Sequence, residues 1–461
     1  MAFSSISFLF YFLPLFFIIY YLIPARAKNV VLLAGSLFFY AWGEPRWILL
    51  LLASILVTWL LGRAMRPEAG AGRRGLLILG LVFQLGLLVA VKYAGFFFGA
   101  FIDLPKLHLP LGVSFYTFHA ISYLVDVYRQ KAPPQKNLLR LGLYLALFPK
   151  LVMGPIVPYH ELEPALAQRT IDAQDVSDGC FRFTIGLAKK ALLADALAGL
   201  VTGIWGDLAS LTVLAAWLGL IGYALQLYFD FSGYSDMAIG LGRMLGFRFP
   251  ENFRYPYLCS SISDFWRRWH ISLGSWFKEY LYFPLGGSRA GTLRTLRNLL
   301  LVWLATGLWH GASWNYVLWG LYFGVLICLE KLLAPHFRAH PRKGLLAGLY
   351  RPLCLLLAVL GWVLFRAEDL PAAGRYFACL FGGAAGASAQ ARLYLHDFWP
   401  VLLLGAVGAT PLCAKLAGRL GAKLQPGVRA AVQAVLVLAL LACSTVWLLN
   451  GSFQSFVYFQ F

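Results

Sequence analysis

Long apolar runs without a single charge constrain this chain more than any other feature. Three of them are SFLFYFLPLFFIIYYLI (Ser7–Ile23), WILLLLASILVTWLLG (Trp47–Gly62) and VQAVLVLALLACSTVWLL (Val432–Leu449). A helix needs about 20 mainly apolar residues to cross a bilayer. Because 60% of the 461 residues are hydrophobic and only 13% are charged, a soluble fold is excluded. The sequence predicts an all-α polytopic membrane protein with about eleven to thirteen membrane-embedded helices, short and interrupted ones included.

Basic residues between the apolar runs predict the orientation of the chain in the membrane. The net charge of +19 is divided among short clusters rather than spread along one face, which argues against nucleic acid as a partner. Loops rich in Lys and Arg stay in the cytoplasm. The clusters expected there are Arg26/Lys28, Arg63–Arg74, Arg129–Arg140, Arg289–Arg297, Arg338–Arg351 and Lys415–Arg429. Both chain ends are then expected on the outer side.

Polar residues divide the single integral-membrane domain into three parts. Residues 1–104 are expected to form four simple scaffold helices, the first retained because no basic residue precedes it as in a signal peptide. Residues 371–461 are expected to form an external loop with a short helix over Gly374–His396 and two more helices from Pro400 onward. Residues 105–370 carry His, Asp, Arg, Gly and Pro within apolar stretches. Such groups are costly at membrane depth unless they pair or line a cavity, so the functional site is expected here.

Two of the eight histidines lie in aromatic, glycine-containing segments near membrane depth. They are His270 in FWRRWHIS and His310 in GLWHGASWN. A buried histidine can stay neutral near pH 7 and accept a proton from a hydroxyl or thiol. Gly311 leaves room for a substrate to approach His310 closely. The alternative is a structural histidine that hydrogen-bonds neighbouring helices.

Two carboxylates are the other unusual polar groups in an apolar setting. Asp230 and Asp236 lie in FDFSGYSDMAIGLG, where they bind an ion, relay protons, or cap and join broken helices. Capping or packing is the favoured interpretation. The seven cysteines have no CxxC spacing, so no metal or redox site is predicted. Signatures of dinucleotide-binding, phosphate-loop, zinc-protease and serine-hydrolase folds are absent from the sequence.

The segment Asp264–Tyr282 is too polar to cross lipid as a lone helix. It combines Asp, Arg, His, Lys and Glu with Trp and Phe, which favours an amphipathic or re-entrant helix. The glycines at 286, 287 and 291 predict a tight turn after it, before a further membrane helix begins near Leu296.

Several segments together resemble one known family over nearly the whole chain. They are LPLGVSFYTFHAISYLVDVYR, FPKLVMGPIVPY, YFDFSGYSDMAIGLGRMLGFRFPENFRYPY, SISDFWRRWHISLGSWFKEYLYFPLGG, GLWHGASWNYVLWG, GWVLFRAEDL and the terminal FVYFQF. They resemble the membrane-bound O-acyltransferases, and within these the bacterial alginate O-acetyltransferase branch. The resemblance implies a ring of transmembrane and re-entrant helices around a tunnel that joins the two membrane faces.

The same resemblance implies roles for particular residues. His310 matches the family's essential histidine and His270 its second polar active-site residue. Acetyl-CoA is then the acyl donor and enters from the cytoplasm, with no permanently bound cofactor and no metal. The basic side chains of Arg267, Arg268, Lys278 and Arg289 are candidates to bind the CoA phosphates, although positive-inside topology alone places many cations there.

The activity implied is O-acetylation of an extracellular or cell-wall polysaccharide across a bacterial inner membrane. An extracytoplasmic SGNH-type acetyltransferase is the expected partner. Two departures from the family pattern, Lys150 in place of a histidine and Pro158 in place of an arginine, point to acceptor or partner specificity. From the residues alone, a polysaccharide-complex transporter or flippase and a non-enzymatic scaffold are the alternatives.

Cysteine labelling tests the predicted orientation. In a cysteine-free background, single cysteines at Arg66, Lys136 and Lys423 should be shielded from an impermeant thiol reagent in intact cells, whereas one at Ser452 should react. Permeabilised cells are the control for reactivity. Labelling of the first three positions in sealed cells would reverse the assigned topology.

Overall fold

The computed structural model describes residues 2–66, 70, 72–99, 110–289, 291–339, 344–451 and 456, with the side chains of 335–347 left out. Every regular element in these ranges is helical, which confirms the predicted all-α class. The labelling position Ser452 lies outside the described residues. The chain divides into two compact units, Met1–Leu187 with Tyr234–Glu251 and Leu448–Phe459, and Ala188–Gly233 with Asn252–Trp447 and Gln460–Phe461.

The first unit contains the N-terminal helices. Among the described residues up to 99 there are four apolar helical segments, the first of which begins with the π-helical turn Phe8–Phe12. The α-helices are α1 Leu13–Leu22, α2 Lys28–Gly43, α3 Ile48–Ala64, α4 Gly72–Leu88, α5 Ala94–Phe98, α6 Val113–Tyr128, α7 Leu138–Ala146, α8 Phe148–Leu151, α9 Tyr159–Ala167 and α10 Ala173–Ala188.

The second unit contains most of the remaining helices. They are α11 Asp195–Trp205, α12 Val213–Met244, α13 Ile262–Arg268, α14 Ile271–Phe277, α15 Thr292–His310, α16 Trp314–Ala339, α17 Gly344–Arg366, α18 Leu370–Leu380, α19 Ala389–Gly408, α20 Leu412–Gly421 and α21 Pro426–Asn450. Helix α12 runs without interruption from the second unit into the first, since its residues from Tyr234 onward pack with the first.

Five helical segments among the described residues are long and apolar enough to cross a membrane, or six if the bent pair α19 and α20 forms one span. The five are Gly72–Phe98, Val213–Met244, Trp314–Ala334, Gly348–Arg366 and Pro426–Asn450. Shorter apolar helices cover Phe8–Leu22 and Ile48–Ala64. The chain is therefore a multi-pass membrane protein. The total of eleven to thirteen embedded helices, the ring around a tunnel and the three-part division stay predictions.

The helix boundaries around Gly374–His396 differ from the expectation of a loop with one short helix. The segment contains the end of α18, which extends to Leu380, and the start of α19 at Ala389. The second of these starts before Pro400, which lies inside it. Ser388 explains this start, since its side chain accepts a hydrogen bond from the Ala391 N–H and caps the helix.

The segment Asp264–Tyr282 is broken rather than one helix. It forms α13, α14 and the π-helical turn Lys278–Tyr282. The glycine turn that follows is confirmed, since Gly286, Gly287 and Gly291 have φ of 100°, 57° and 91°. Asn298 of α15 holds this turn, donating through Nδ2 to the carbonyls of Leu285 (3.0 Å) and Gly287 (3.1 Å).

The two aspartates of α12 pair with cations, which favours packing over ion binding. In the second unit, Lys190 Nζ lies 2.6 Å from Asp230 Oδ1 and 2.7 Å from Asp195 Oδ1, all three side chains being buried. In the first unit, Asp236 pairs with Arg182 at 2.6 Å. Helix α12 is continuous, so these carboxylates do not cap broken helices as the sequence suggested. Their ion pairs join neighbouring segments to α12 instead.

Helices α15 and α16 form a closely packed hairpin that positions the GLWHG segment. A Cβ atom on Gly307 would lie 2.3 Å from the Tyr316 carbonyl oxygen, and one on Gly320 would lie 2.4 Å from that of Trp303. Small residues at such contacts let two helix backbones approach each other. The hairpin also holds α13, because Glu330 of α16 accepts from the backbone N–H groups of Ile262 (2.6 Å) and Ser263 (2.8 Å) in its first turn.

Candidate active site

His310 is the last residue of α15 and is almost completely buried. Its ring contacts Trp319 of α16 edge-on, with centroids 4.8 Å apart, and Phe365 of α17 at 5.2 Å. The chain leaves the helix at Gly311, where a Cβ atom would lie 2.2 Å from the Tyr316 ring. Only glycine fits there, so the turn after His310 depends on it.

His270 lies between α13 and α14 and is equally buried. Its φ of 46° places the backbone in the left-handed region, which costs energy for a residue other than glycine. Two backbone hydrogen bonds hold this conformation: Arg254 N–H to the Arg268 carbonyl (2.9 Å), and Ile271 N–H to the Asn252 carbonyl (3.0 Å). The surrounding structure therefore imposes the direction in which the imidazole points.

Asn252 organises the polar side of His270. Its Oδ1 accepts from the backbone N–H of Ser272 (3.1 Å) and from the Ser272 hydroxyl (2.9 Å), and it lies 3.3 Å from His270 Nδ1. Asn252 is fully buried. One side-chain oxygen thus joins the start of α14 to the histidine.

The electrostatic state of His270 follows from its burial. His270 lies outside the candidate membrane spans, and loss of hydration disfavours the charged imidazolium, lowering the pKa of its ring to about 3. The imidazole is then neutral throughout the physiological pH range. It can donate one N–H while its other nitrogen accepts.

In the structure, both predicted histidines lie beside the indole ring of Trp309. The Trp309 ring centroid lies 5.9 Å from that of His270 and 4.9 Å from that of His310. Phe231 also packs against His270, with the two ring centroids 4.6 Å apart. Two titratable rings separated by 39 intervening residues therefore share one aromatic, water-poor environment.

Of the four predicted phosphate-binding cations, Arg267, Lys278 and Arg289 are exposed. Arg268 is half-buried and pairs with Asp264 at 3.0 Å, one turn earlier in α13. Lys278 lies over the Phe283 ring at 5.6 Å from its centroid. Three of the four side chains therefore lie at the surface of the protein.

The two departures from the family pattern lie in the first unit. Lys150 of α8 is completely buried, with its Nζ 4.2 Å from the centroid of the Tyr144 ring. Pro158 precedes α9 and occupies its N-cap position. Tyr144 donates to the Val157 carbonyl at 2.9 Å, which links the two segments. Both departures therefore belong to one local structure.

Sequence reasoning missed Asn252 and Trp309. Asn252 lies in PENFRYPY, a polar segment shortly after α12, and this position in the sequence was the only indication of its role. Trp309 was part of the GLWHG motif but not singled out, because an aromatic residue in an apolar helix is usually core packing. Their roles depend on contacts between residues far apart in sequence.

The fold and the site define the class of this protein, which is a helical, multi-pass membrane protein with two buried histidines beside one indole. Comparison with known sequences identifies its family. The sequence model of the MBOAT, or membrane-bound O-acyltransferase, family matches residues 129–348. The match covers α7 to α16, including both histidines. Together with the relatives below, it shows that the chain belongs to the membrane-bound O-acyltransferase family.

Curated relatives extend the similarity over most of the chain. A probable alginate O-acetylase, AlgI, of Pseudomonas aeruginosa is 43% identical over 395 residues, covering 83% of this chain and 75% of the relative. A peptidoglycan O-acetyltransferase of Helicobacter pylori is 36% identical, covering 81% and 78%. A teichoic acid D-alanyltransferase of Bacillus subtilis is 29% identical, covering 49% and 62%. The chain is accordingly an acyltransferase.

Replacement of Asn252 tests how His270 is held. Asn252→Leu removes the oxygen that accepts from Ser272 and should destabilise the protein, since a buried donor left unpaired costs about 1–3 kcal/mol. Thermal unfolding in detergent should show a lower melting temperature than for the wild type. Ser275→Ala, at an exposed serine of α14, is the control and should unfold like the wild type. An unchanged melting temperature for Asn252→Leu would contradict this account.

Proposed function

We propose that this acyltransferase takes acetyl groups from cytoplasmic acetyl-CoA and passes them to an acceptor outside a bacterial inner membrane, for O-acetylation of a polysaccharide. The observation that supports this most directly is the pair of buried histidines on the Trp309 indole. The activities of the relatives, acetylation of alginate and of peptidoglycan, support acetyl as the group transferred.

His310 is the general base. It accepts a proton from the acceptor hydroxyl while the hydroxyl oxygen attacks the thioester carbonyl carbon. The carbon–sulfur bond then breaks, and the imidazolium returns the proton to the departing thiolate, giving CoA with a free thiol. Burial against Trp319 and Phe365 excludes water, which would otherwise hydrolyse the thioester.

His270 orients the reacting groups at the thioester. Because burial keeps its imidazole neutral and its one N–H, on Nδ1, faces Asn252 Oδ1, the Nε2 atom is a hydrogen-bond acceptor for the hydroxyl that attacks. Asn252 and the left-handed backbone fix the ring before substrate binds, so no reorganisation is needed during the reaction. Direct transfer to the acceptor and transfer through a covalent acetyl-enzyme both fit this arrangement.

CoA binds through its phosphates at the exposed cations of the α13–α14 segment. Arg267, Lys278 and Arg289 supply the charge, and Arg289 follows the glycine turn that Asn298 holds. Arg268 contributes less, because Asp264 already neutralises it. The predicted topology places this segment on the cytoplasmic side, where acetyl-CoA is found.

The acetyl group passes to an extracytoplasmic SGNH-type transferase that completes modification of the polymer. The connection Phe381–Ser388, within the segment predicted to be external, is short. It packs onto the start of α12, whose Val213 and Leu214 N–H groups donate to the carbonyls of Ala385 and Gly386 at 3.0 Å. Such a loop offers little surface for gripping a long polymer, which favours a separate partner.

Acetyl transfer by histidine variants tests the chemistry. At matched expression, His310→Ala should lower transfer from radiolabelled acetyl-CoA about a hundred- to ten-thousandfold, the usual contribution of a general base. His270→Ala should lower it less. Because both act on one transition state, the double variant should be little worse than His310→Ala alone.

His396→Ala is the matched control, since this histidine is exposed on α19 beside Asp397. It should transfer acetyl groups at the wild-type rate. Near-normal transfer by well-expressed His310→Ala would refute the assignment of the base, and additive losses would show that the histidines do not share a site. A protein that leaves acetyl-CoA intact while moving a glycan would be a flippase.

Reconstitution tests the hand-over to a partner. The purified chain in proteoliposomes supplied with acetyl-CoA should leave an added alginate polymer unmodified, and addition of a periplasmic extract should restore acetylation. Extract incubated with acetyl-CoA and empty liposomes is the control. Acetylation of the polymer by the purified chain without any extract would show that no partner is required.

A further inference from the structure

An apolar groove runs along the first two helices of the chain, which lie wholly in the first unit. Its volume of about 640 Å³ falls within the roughly 300–1000 Å³ of sites for small molecules. One face of the first helix lines it from Ser7 to Ile19, and one face of α2 lines it from Val31 to Trp42. Exposed side chains of this lining are Tyr11, Leu15, Ile19, Phe38 and Trp42. The groove therefore opens to the surroundings of the helices, which in a membrane protein are lipid.

Small residues of α2 form the floor of the groove between aromatic walls. Ala34 is exposed, and Gly35 beside it has no side chain. A Cβ atom on Gly35 would lie 2.5 Å from the Phe16 ring, so the first helix packs directly on the backbone of α2 at this point. Phe38 stacks on Phe12 across the two helices, with centroids 6.1 Å apart and an interplanar angle of 10°. The groove is thus formed by packing within the protein and exists before a ligand enters.

The length of the groove matches one leaflet of a bilayer. A rise of about 1.5 Å per residue makes the run from Val31 to Trp42 about 17 Å long. The hydrocarbon core of a membrane is about 30 Å thick, so the chains of one leaflet extend about 15 Å. One extended acyl chain therefore occupies the groove from end to end.

Three cations gather at one end of the groove. Arg26 lies in the turn Ala25–Ala27, and Lys28 begins α2 about one helical turn before the lining starts. Arg169 donates to Asn29 Oδ1 at 2.6 Å, which brings its guanidinium to the same end. None of the three pairs with a carboxylate among the described residues. This end is therefore positively charged.

The opposite end of the groove has a different charge pattern. The charged residues that follow Trp42 most closely in sequence are Glu44 and Arg46, one of each sign. Residues 1–43 contain no Asp or Glu at all, so the cations Arg26 and Lys28 are the charges of the helix pair itself. An elongated ligand with one anionic end is complementary to this arrangement.

We propose that the groove binds one acyl chain of an anionic phospholipid, with the lipid phosphate at Arg26 and Lys28. The apolar lining removes the chain from competing contacts, and the cations select a headgroup with net negative charge. A second copy of this chain is a poorer occupant, because it has the same orientation in the membrane and would bring like charges to the same end. With the predicted topology, the ligand is a lipid of the cytoplasmic leaflet.

Photolabelling of the full-length chain in nanodiscs tests the site. Phosphatidylcholine nanodiscs contain a small fraction of phosphatidylglycerol with a photoreactive acyl chain, and labelled peptides are identified by mass spectrometry. Label should concentrate on residues 7–42. Photoreactive phosphatidylcholine at the same fraction should label these residues at least tenfold less, since each Lys or Arg near the membrane surface raises the affinity for anionic lipid about fivefold.

Two variants have matched controls. Ala34→Phe places a ring on the floor of the groove and should lower labelling severalfold, whereas Ala53→Phe, at an exposed alanine of α3 outside the groove, should label like the wild type. The double variant Arg26→Gln, Lys28→Gln should lose the preference for phosphatidylglycerol. Arg46→Gln, at an exposed arginine beyond the opposite end, should keep it.

Several results would overturn the proposal. Equal labelling of the groove and of the exposed face of α4 would show bulk lipid only, and equal labelling by the two lipids would remove the role of the cations. Unchanged labelling of Ala34→Phe would place the lipid elsewhere, and absence of label from the groove in every lipid would show that protein covers it. If Ala34→Phe does not fold, an unaltered lipid preference in the double variant decides against the site.

Discussion

Polar groups within a lipid-embedded helical protein must find partners inside the protein, and the arrangement of this chain depends on that constraint. Lys190 is held between Asp195 and Asp230, which fixes α12 against the segment before α11. Glu330 satisfies the first N–H groups of α13, and Asn298 satisfies the carbonyls of the glycine turn. Each pairing joins segments that would otherwise expose backbone or charge to lipid.

The same constraint also determines the surroundings of the two candidate catalytic histidines. Glycines at the α15–α16 contact allow tight packing, so that His310 is enclosed by aromatic rings rather than water. His270 keeps its position through Asn252 and a left-handed backbone that distant residues impose.

The all-α class and the glycine turn followed from composition, apolar run length and glycine placement alone. The break at Trp269–His270 did not, since the left-handed residue is not a glycine and is held by Asn252 from outside the helix. The boundaries of the helices flanking Phe381–Ser388 were missed because Ala, Gly and Ser resemble a loop in composition, although Ser388 acts as an N-cap.

The sequence by itself determined that this is a multi-pass membrane protein and which two histidines stand out, because hydropathy and the cost of polar groups in lipid act locally along the chain. Tertiary structure alone decided that both rings share the Trp309 indole and that Asn252 orients one of them. These relations join residues on separate helices, and only the packing of those helices brings them together.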